Sequence, residues 1–211
     1  MASSIEQIRD SIIEGNKNGT VAAVDQALAE GITAATILND AMIPAMAEVG
    51  ARFERDEYFV PEMLISARAM QAGMDKLRVL LVQSGVQPLA TVAIGTVKGD
   101  LHDIGKNLGS MMLEGAGFAI KDLGVNVDPE KFVEAVREGA DIVAMSALLT
   151  TTMTNMKNTV EALKAAGVRE QCKVMIGGAP VTQTYSDEIG ADGYSPDASS
   201  AARLARQLAG A

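Results

Sequence analysis

The chain has 211 residues and a net charge of −9, from 18 Lys and Arg against 27 Asp and Glu. This length predicts one domain or two small ones, since domains commonly hold about 100–200 residues. A chain this acidic does not neutralise a phosphate backbone, and aromatic residues make up only 3% with no Trp. We therefore expect no nucleic-acid partner.

The sequence also argues against a membrane protein and a secreted one. No run of about 18 apolar residues occurs, so we expect no membrane span. The N-terminus lacks the basic start and apolar core of a signal peptide. The single cysteine, Cys172, excludes an intrachain disulfide and a cysteine cluster for zinc or iron–sulfur. A reducing cytoplasm is the expected compartment.

The first part of the chain, residues 1–86, has the apolar periodicity of helices. A first helix is expected to end around Gly15 and Gly19, and a second, short helix before Gly31. Thr33 is a plausible N-cap for a third helix.

Two prolines mark the later helices of this part. Pro44 is expected to kink the third helix, because proline lacks the N–H that an internal helical position needs. Pro61 lies at a favoured first-turn position and opens a fourth helix, whose apolar residues recur at spacings of three, four and seven. Four helices with one apolar face each predict a small bundle. Residues 83–88 are predicted to form a linker.

Residues 89–211 alternate between apolar, β-rich runs and helical patterns. Strands with continuous apolar character predict a parallel sheet that is covered by helices on both faces. Five such units predict a flavodoxin-like, Rossmann-like α/β domain that follows an all-α four-helix cap. Its ligand should lie beyond the carboxyl ends of the strands. The predicted strands lie around Ala90–Thr96, Phe118–Ile120, Ile142–Met145, Val174–Ile176 and Gly193–Tyr194.

The loop after the first predicted strand contains the only histidine, His102, between Asp100 and Asp103. A carboxylate two residues from an imidazole can accept its N–H, which makes the other ring nitrogen a better base or ligand. The alternative is an ordinary loop histidine, with Asp103 capping the next helix. Because no second histidine exists, this chain cannot form a multi-histidine metal site.

The sequence does not match the common nucleotide-binding and hydrolase motifs. Asp100 stands where a Walker A loop needs its first glycine, and Asn107 replaces its Ser or Thr. No dinucleotide-binding Gly-x-Gly-x-x-Gly loop occurs. A Ser-His-Asp hydrolase remains possible on composition, but the chain has no Gly-x-Ser-x-Gly elbow.

Two further loops follow predicted strands. The segment after the third strand carries four hydroxyl side chains, at Ser146 and at Thr150 to Thr152, where a helix cap needs only one. The fourth strand ends in Gly177 and Gly178, which suggests either a flat bound group, a close backbone approach or an ordinary turn.

Together these loops resemble the cobalamin-binding signature Asp-x-His-x-x-Gly, Ser-x-Leu and Gly-Gly. The chain reads Asp100-Leu101-His102-Asp103-Ile104-Gly105, with forty residues (106–145) before Ser146-Ala147-Leu148 and twenty-eight (149–176) before Gly177-Gly178. The first half also resembles the helical cap of methionine synthase and of corrinoid shuttle proteins of methyltransferase systems.

This resemblance implies a role for each matching residue. Cobalamin would bind with its own base displaced, and His102 would be the axial ligand of cobalt. Asp100 and Thr152 would continue a hydrogen-bond relay from its other nitrogen. The remaining positions implied to contact the cofactor are Leu101, Asp103, Ile104, Gly105, Ser146, Leu148, Thr150, Gly177, Gly178, Ala179, Asp197 and Ala198.

The resemblance also implies a function. Cobalt would cycle between Co(I) and methyl-Co(III), and the chain would carry a methyl group between a substrate-specific methyltransferase and an acceptor methyltransferase, with a reductive activase as a third partner. Phe59, Met63 and Met70 are candidates to cover the methyl group; the alternative for each methionine is bundle core. The methyl donor and the oligomeric state remain open.

Three rival interpretations remain. An adenosylcobalamin-dependent isomerase subunit would share the three loops but would not need the helical cap. A B12-sensing regulator would require a DNA-binding module, and the acidic N-terminal half has no basic recognition helix. A flavodoxin-like signalling domain would bind no corrinoid at all.

Overall fold

The computed structural model describes residues 2–210. The chain divides into two compact units. One extends to Gln87 and also includes Gly115–Gly117; the other consists of Pro88–Glu114 and the chain from Phe118 onward. Among the described residues, no helix combines the length and the apolar character needed to cross a bilayer.

The first unit is entirely helical, as the periodicity predicts. Its apolar faces are buried: Ile8, Ile12, Val49 and Leu77 have no exposed surface. Ser3 caps the first helix by accepting the N–H of Glu6 on its hydroxyl, and the Glu6 carboxylate accepts the N–H of Ser3 in return. The helices are α1 (Ser4–Ile13), α2 (Lys17–Ala29), α3 (Ala34–Thr36), α4 (Ile43–Glu54) and α5 (Val60–Gln83).

Two details of this unit differ from the sequence prediction. Gly19 does not end α1 but lies inside α2, where its N–H donates to the side chain of Asn16, the N-cap. The third helix is not simply kinked: a π-helical segment, Ile37–Met42, joins α3 to α4 immediately before Pro44. Proline has no N–H and removes one helical hydrogen bond, and the wider π-helical turn accommodates the missing bond.

The second unit contains five parallel strands in the order β2-β1-β3-β4-β5. This is the five-stranded Rossmann-like sheet that the sequence predicts. Strands and helices alternate as β1 (Thr91–Val97), α6 (Ile104–Gly115), β2 (Ala119–Val127), α7 (Pro129–Arg137), β3 (Ile142–Ser146), α8 (Thr150–Ala165), β4 (Lys173–Gly177), α9 (Gln183–Ile189), β5 (Gly193–Ser195) and α10 (Ala198–Ala209), with a 3₁₀ turn at Arg169–Gln171.

The edge strand β2 is much longer than predicted and is irregular. The pairing advances from Ile94–Asp122 to Gly95–Gly124 and then to Val97–Val127, so β2 carries an extra residue at each of two bulges. Bulges bend a strand and redirect its side chains. The polar second half of β2 concealed the strand from the sequence pattern, which expects alternating or continuous apolar residues.

Candidate functional site

Asp100 is the centre of the site and has no exposed surface. Its Oδ1 accepts the backbone N–H of His102 at 3.0 Å. Its Oδ2 accepts the N–H of Leu148 at 2.8 Å and the hydroxyl of Thr152 at 2.7 Å, with the N–H of Leu149 at 3.4 Å. A buried carboxylate is costly unless hydrogen bonds compensate for lost water, and these donors do so.

The same contacts decide the protonation of Asp100. Burial on its own raises the pKa of a carboxyl, but the hydrogen bonds from Thr152, from the backbone of His102 and Leu148 and from the His102 ring outweigh it. The pKa of Asp100 lies well below its usual range. Asp100 is therefore a buried carboxylate.

His102 lies beside this carboxylate with its side chain 52% exposed. Its Nδ1 is 2.7 Å from Asp100 Oδ1. Because an ionised carboxylate only accepts hydrogen bonds, a neutral His102 ring carries its proton on Nδ1 and leaves the lone pair on Nε2. Thr96 holds the backbone here, donating its hydroxyl to the carbonyl of His102 at 2.9 Å.

Two asparagines that the sequence analysis missed hold the segment before His102. Asn126, on the bulged part of β2, accepts the N–H of Gly99 at 2.8 Å and donates its own N–H to the carbonyl of Asp100 at 2.9 Å. Asn155 donates its side-chain amide to the carbonyl of Lys98 at 2.8 Å. No motif marks either residue, since each acts on main-chain groups far away in sequence.

Small and hydroxyl side chains form a row across the carboxyl ends of four strands. The register pairs Thr96 with Ser146, Ser146 with Gly177, and Gly177 with Ser195. Paired residues in a sheet point to the same face. A Cβ at Gly177 would lie 3.0 Å from the carbonyl oxygen of Ser195 and 3.4 Å from its hydroxyl, so a larger residue would crowd Ser195. Ser195 was missed because its strand has only three residues.

Gly178 is required by the chain itself. It has a φ of +133°, and a Cβ at this position would lie 1.9 Å from the carbonyl oxygen of Ala147. Gly178 therefore serves the close backbone approach that the sequence analysis considered, between the loop after β4 and the loop after β3. Ala147 immediately precedes Leu148, whose N–H binds Asp100.

Apolar side chains around His102 are unusually exposed. Leu101 and Ile104 are 70% and 77% exposed, and Leu148 and Leu149 are both 44% exposed. Gly105 has no atom within 4 Å of where its Cβ would be, so the chain's own packing does not require a glycine there. An apolar rim with open space beside an available imidazole nitrogen suits a large, partly apolar ligand.

Some predicted site residues lie apart from this hydrogen-bond network. Thr150 and Ala179 are exposed, and Asp103 accepts the side chain of Asn107 at 3.2 Å. Asp197 caps α10 by accepting the N–H of Ser200 at 2.8 Å, and Ala198 is the first residue of that helix.

The predicted cap residues differ in exposure. Met63 is fully buried and Met70 is 3% exposed, whereas Phe59 is 60% exposed. Phe59 precedes α5, and its N–H donates to the carboxylate of Glu62 at 3.0 Å. The assignment of these three residues to the methyl group stays a prediction.

The donor set fits a metal that arrives inside an organic cofactor. Within residues 2–210 no group of three or more His, Cys, Asp or Glu side chains is arranged to hold a metal ion. His102 can supply one nitrogen, and Asp100 can orient the ring through its contact with the other nitrogen, as carboxylates commonly do for metal-bound histidines.

Comparison with known families agrees with this geometry. Two models, each described as a B12 binding domain, match residues 90–203 and residues 4–78. The first of these covers more than half of the chain. The chain belongs to the family of B12-binding corrinoid proteins. Its cofactor is therefore a cobalamin, as the three loops predict.

Curated relatives of this corrinoid protein match it over nearly their full length. It is 40% identical to dimethylamine corrinoid protein 1 of Methanosarcina acetivorans over 206 residues, covering 97% of this chain and 96% of the relative. It is 41% identical to trimethylamine corrinoid protein 1 of the same organism, covering 92% and 91%.

Solved structures share the fold. A cobalamin-binding protein from Desulfitobacterium hafniense superposes with a TM-score of 0.81 at 32% identity, covering 97% of this chain and 98% of the other. A chain of the methanol:cobalamin methyltransferase complex from Methanosarcina barkeri gives a TM-score of 0.86 at 27% identity, covering 98% and 80%.

Proposed function

We propose that this chain is the methyl-carrying corrinoid protein of a methyltransferase system and that His102 Nε2 is the protein's ligand to cobalt. The observation that carries the proposal is the buried, ionised Asp100 bound to His102 Nδ1 at 2.7 Å, with the ring half-exposed. This contact fixes the ring orientation and leaves Nε2 for the metal.

When bound, the corrinoid would supply a cobalt centre that can take up and release a methyl group, and His102 would hold that centre. The protein's own residues bind the cofactor and orient the imidazole. Asp100 keeps the His102 proton on Nδ1, and Thr152 keeps Asp100 in place through the second carboxylate oxygen. The apolar rim around His102 supplies a surface for the corrin ring, and displaced water strengthens the contacts beneath it.

The row of small side chains is the proposed slot for the cofactor's displaced base. Ser146 and Ser195 carry hydroxyls at the register positions on either side of Gly177, and Gly177 adds no side chain to the row. A ring in this slot would contact hydroxyls that can donate or accept.

The part of this chain that its relatives match favours methyl transfer over the isomerase interpretation. The matches include the helical unit, which an isomerase subunit would not need. The relatives are corrinoid proteins for dimethylamine and trimethylamine, at 40% and 41% identity. We propose a methylamine methyltransferase as the donor-side partner. An acceptor methyltransferase and a reductive activase complete the proposed system.

The single histidine allows a decisive test of the ligand. Protein labelled with ¹⁵N-histidine and loaded with cob(II)alamin is examined by electron paramagnetic resonance. If His102 binds cobalt, the axial-nitrogen splitting changes from a triplet with ¹⁴N to a doublet with ¹⁵N, because the two nuclei differ in spin. A retained triplet would mean that the cofactor's own base is the ligand, and His102→Ala should lose the histidine-dependent signal.

The proposed partner is tested by methylation of the loaded, reduced protein. Purified dimethylamine, trimethylamine and methanol methyltransferases are each supplied with their own substrate, and the absorbance of the methylated corrinoid is followed. Methylation with either amine enzyme and not with the methanol enzyme is the expected result. Methylation only in the methanol system would contradict the assignment.

A further inference from the structure

Lys106 is a buried charge for which the proposed function has no use. It is 4% exposed and lies in the first turn of α6, four residues after His102. A cation is unfavourable there, because backbone N–H groups point out of a helix N-terminus and make it positive. Burial of an ammonium adds a further cost. Something other than helix stability must explain this lysine.

The contacts of Lys106 join three parts of the site. Its Nζ lies 2.6 Å from Asp122 Oδ2, on the first bulge of β2, and 2.7 Å from Asn107 Oδ1. Asp122 Oδ1 accepts the N–H of Gly124 at 2.8 Å, which fixes the carboxylate within the bulge. Asn107 in turn donates its side-chain amide to Asp103, the residue after His102, at 3.2 Å.

We propose that the Lys106–Asp122 ion pair is a positioning device for His102. It fixes the position of the first turn of α6 against the edge strand β2. Asn107, which contacts both Lys106 and Asp103, thereby fixes the position of the loop that contains His102. Only the lysine of this pair is buried, since the Asp122 side chain is 45% exposed. Ion pairs with buried members contribute little net stability, but in some proteins they select one arrangement among several that apolar packing would permit. The pair would therefore act on where His102 lies rather than on whether the chain folds.

The position of His102 matters because of the proposed function, since an axial ligand must meet cobalt at one distance and angle. The structural part of the proposal can be tested without any corrinoid. His102 is the only histidine, so the ¹⁵N spectrum of its ring in the cofactor-free protein has no overlapping signals.

The test variant is Lys106→Met, which keeps a long, flexible side chain and removes the charge. Asp122 remains solvated in this variant because its side chain is 45% exposed. We expect the urea midpoint to stay at the wild-type value or rise. In the wild type the ring should show the Nδ1–H tautomer alone; in Lys106→Met we expect averaged nitrogen shifts that report an increased population of the other tautomer.

The matched control is Arg169→Met, which removes another ion pair of the same unit. Arg169 binds Asp192 at 2.8 Å and the carbonyl of Gly190 at 2.8 Å, and neither belongs to the His102 network. We expect this control to lower the urea midpoint and to leave the His102 signals unchanged. If Lys106 has only a structural role, Lys106→Met will also lower the urea midpoint and leave the His102 signals unchanged, and this result would overturn the proposal. Unchanged His102 signals would overturn it whatever the urea midpoint.

A second measurement covers the case in which Lys106→Met does not fold. Asp122→Asn keeps an oxygen that can accept the N–H of Gly124 and removes the carboxylate charge that pairs with Lys106. The same His102 spectrum is recorded for this variant. A shifted tautomer ratio supports the proposal and wild-type signals refute it. Failure of the wild type to take up cobalamin would refute the proposed function and leave the result of this ring spectrum intact.

Loaded protein gives an independent readout. In the ¹⁵N-histidine resonance experiment, Lys106→Met should show a larger fraction of cobalt without histidine splitting than the wild type, whereas Arg169→Met should not. Equal fractions in Lys106→Met and the wild type would contradict a positioning role.

Discussion

The Gly178→Ala variant tests how tightly the loops after β3 and β4 depend on each other. A Cβ at Gly178 would lie 1.9 Å from the carbonyl oxygen of Ala147, so the backbone must move by more than 1 Å to reach an ordinary contact. The φ of +133° adds strain that an alanine cannot avoid. Strain of about 1–3 kcal/mol and overpacking of about 1–3 kcal/mol together predict a loss of about 4 kcal/mol in the free energy of unfolding.

Gly139→Ala is the matched control for this variant. Gly139 also has a positive φ, +98°, but no atom lies within 4 Å of its Cβ position. Gly139→Ala should lose only the part of the free energy of unfolding that comes from backbone strain, about 1–3 kcal/mol. Both values come from urea unfolding followed by circular dichroism, with hydrogen exchange of β1 and β3 amides to report on the sheet itself. Equal losses in the two variants would refute the argument that the carbonyl of Ala147 is what requires glycine.

Three further changes follow from the same geometry. Thr152→Val removes the hydroxyl that donates to Asp100 and should lower the free energy of unfolding by about 1.5–3 kcal/mol in urea, since that bond is made to a charged group. Asn126 has a φ of +52°, so Asn126→Ala should be about 1 kcal/mol less stable than Asn126→Gly, which loses the same bond to Gly99 without the strain; equal midpoints would contradict this. Burial raises the pKa of the Cys172 thiol, so the folded chain keeps that proton to higher pH than the unfolded chain does. Stability should therefore fall above the unfolded thiol pKa of about 8.5, and Cys172→Ala should show a smaller decline between roughly pH 8 and 10.

The sequence predicts those parts of the site that short spacing or a position after an apolar strand marks in the sequence itself. Asp100 and His102 are two residues apart, and the loops that contain Ser146 and Gly177 follow apolar strands, so both the chemistry and its place at the carboxyl edge could be inferred. The hydrogen-bonded group of Asp100, His102 and Thr152 arises from this short spacing and from the adjacency of β1 and β3 in the sheet.

What the sequence could not predict depends on the register of distant segments. The polar residues Asp122 and Asn126 made β2 look like a loop, and their roles exist only because two bulges bring them against the segments on either side of His102. Ser195 aligns with Gly177 through a strand of three residues, too short for any periodicity to indicate. The Gly177-Gly178 sequence likewise does not indicate that Ala147 is the residue that Gly178 contacts.

The two oxygens of Asp100 have different partners, and this division determines what a test at His102 can show. Oδ2 is held by Leu148 and Thr152, which belong to the loop and helix after β3, and none of these contacts involves the imidazole. Oδ1 binds the ring but also the backbone N–H of residue 102, which any amino acid at that position supplies.

His102→Ala should therefore leave Asp100 buried and hydrogen-bonded, with a free energy of unfolding within about 1 kcal/mol of the wild type, as expected for a half-exposed side chain. Thermal or urea unfolding of the cofactor-free variant measures this directly. A loss of several kcal/mol would show that the ring is part of the scaffold. If stability is retained, any change that this variant causes in the bound corrinoid can be attributed to the missing imidazole and not to a disturbed scaffold.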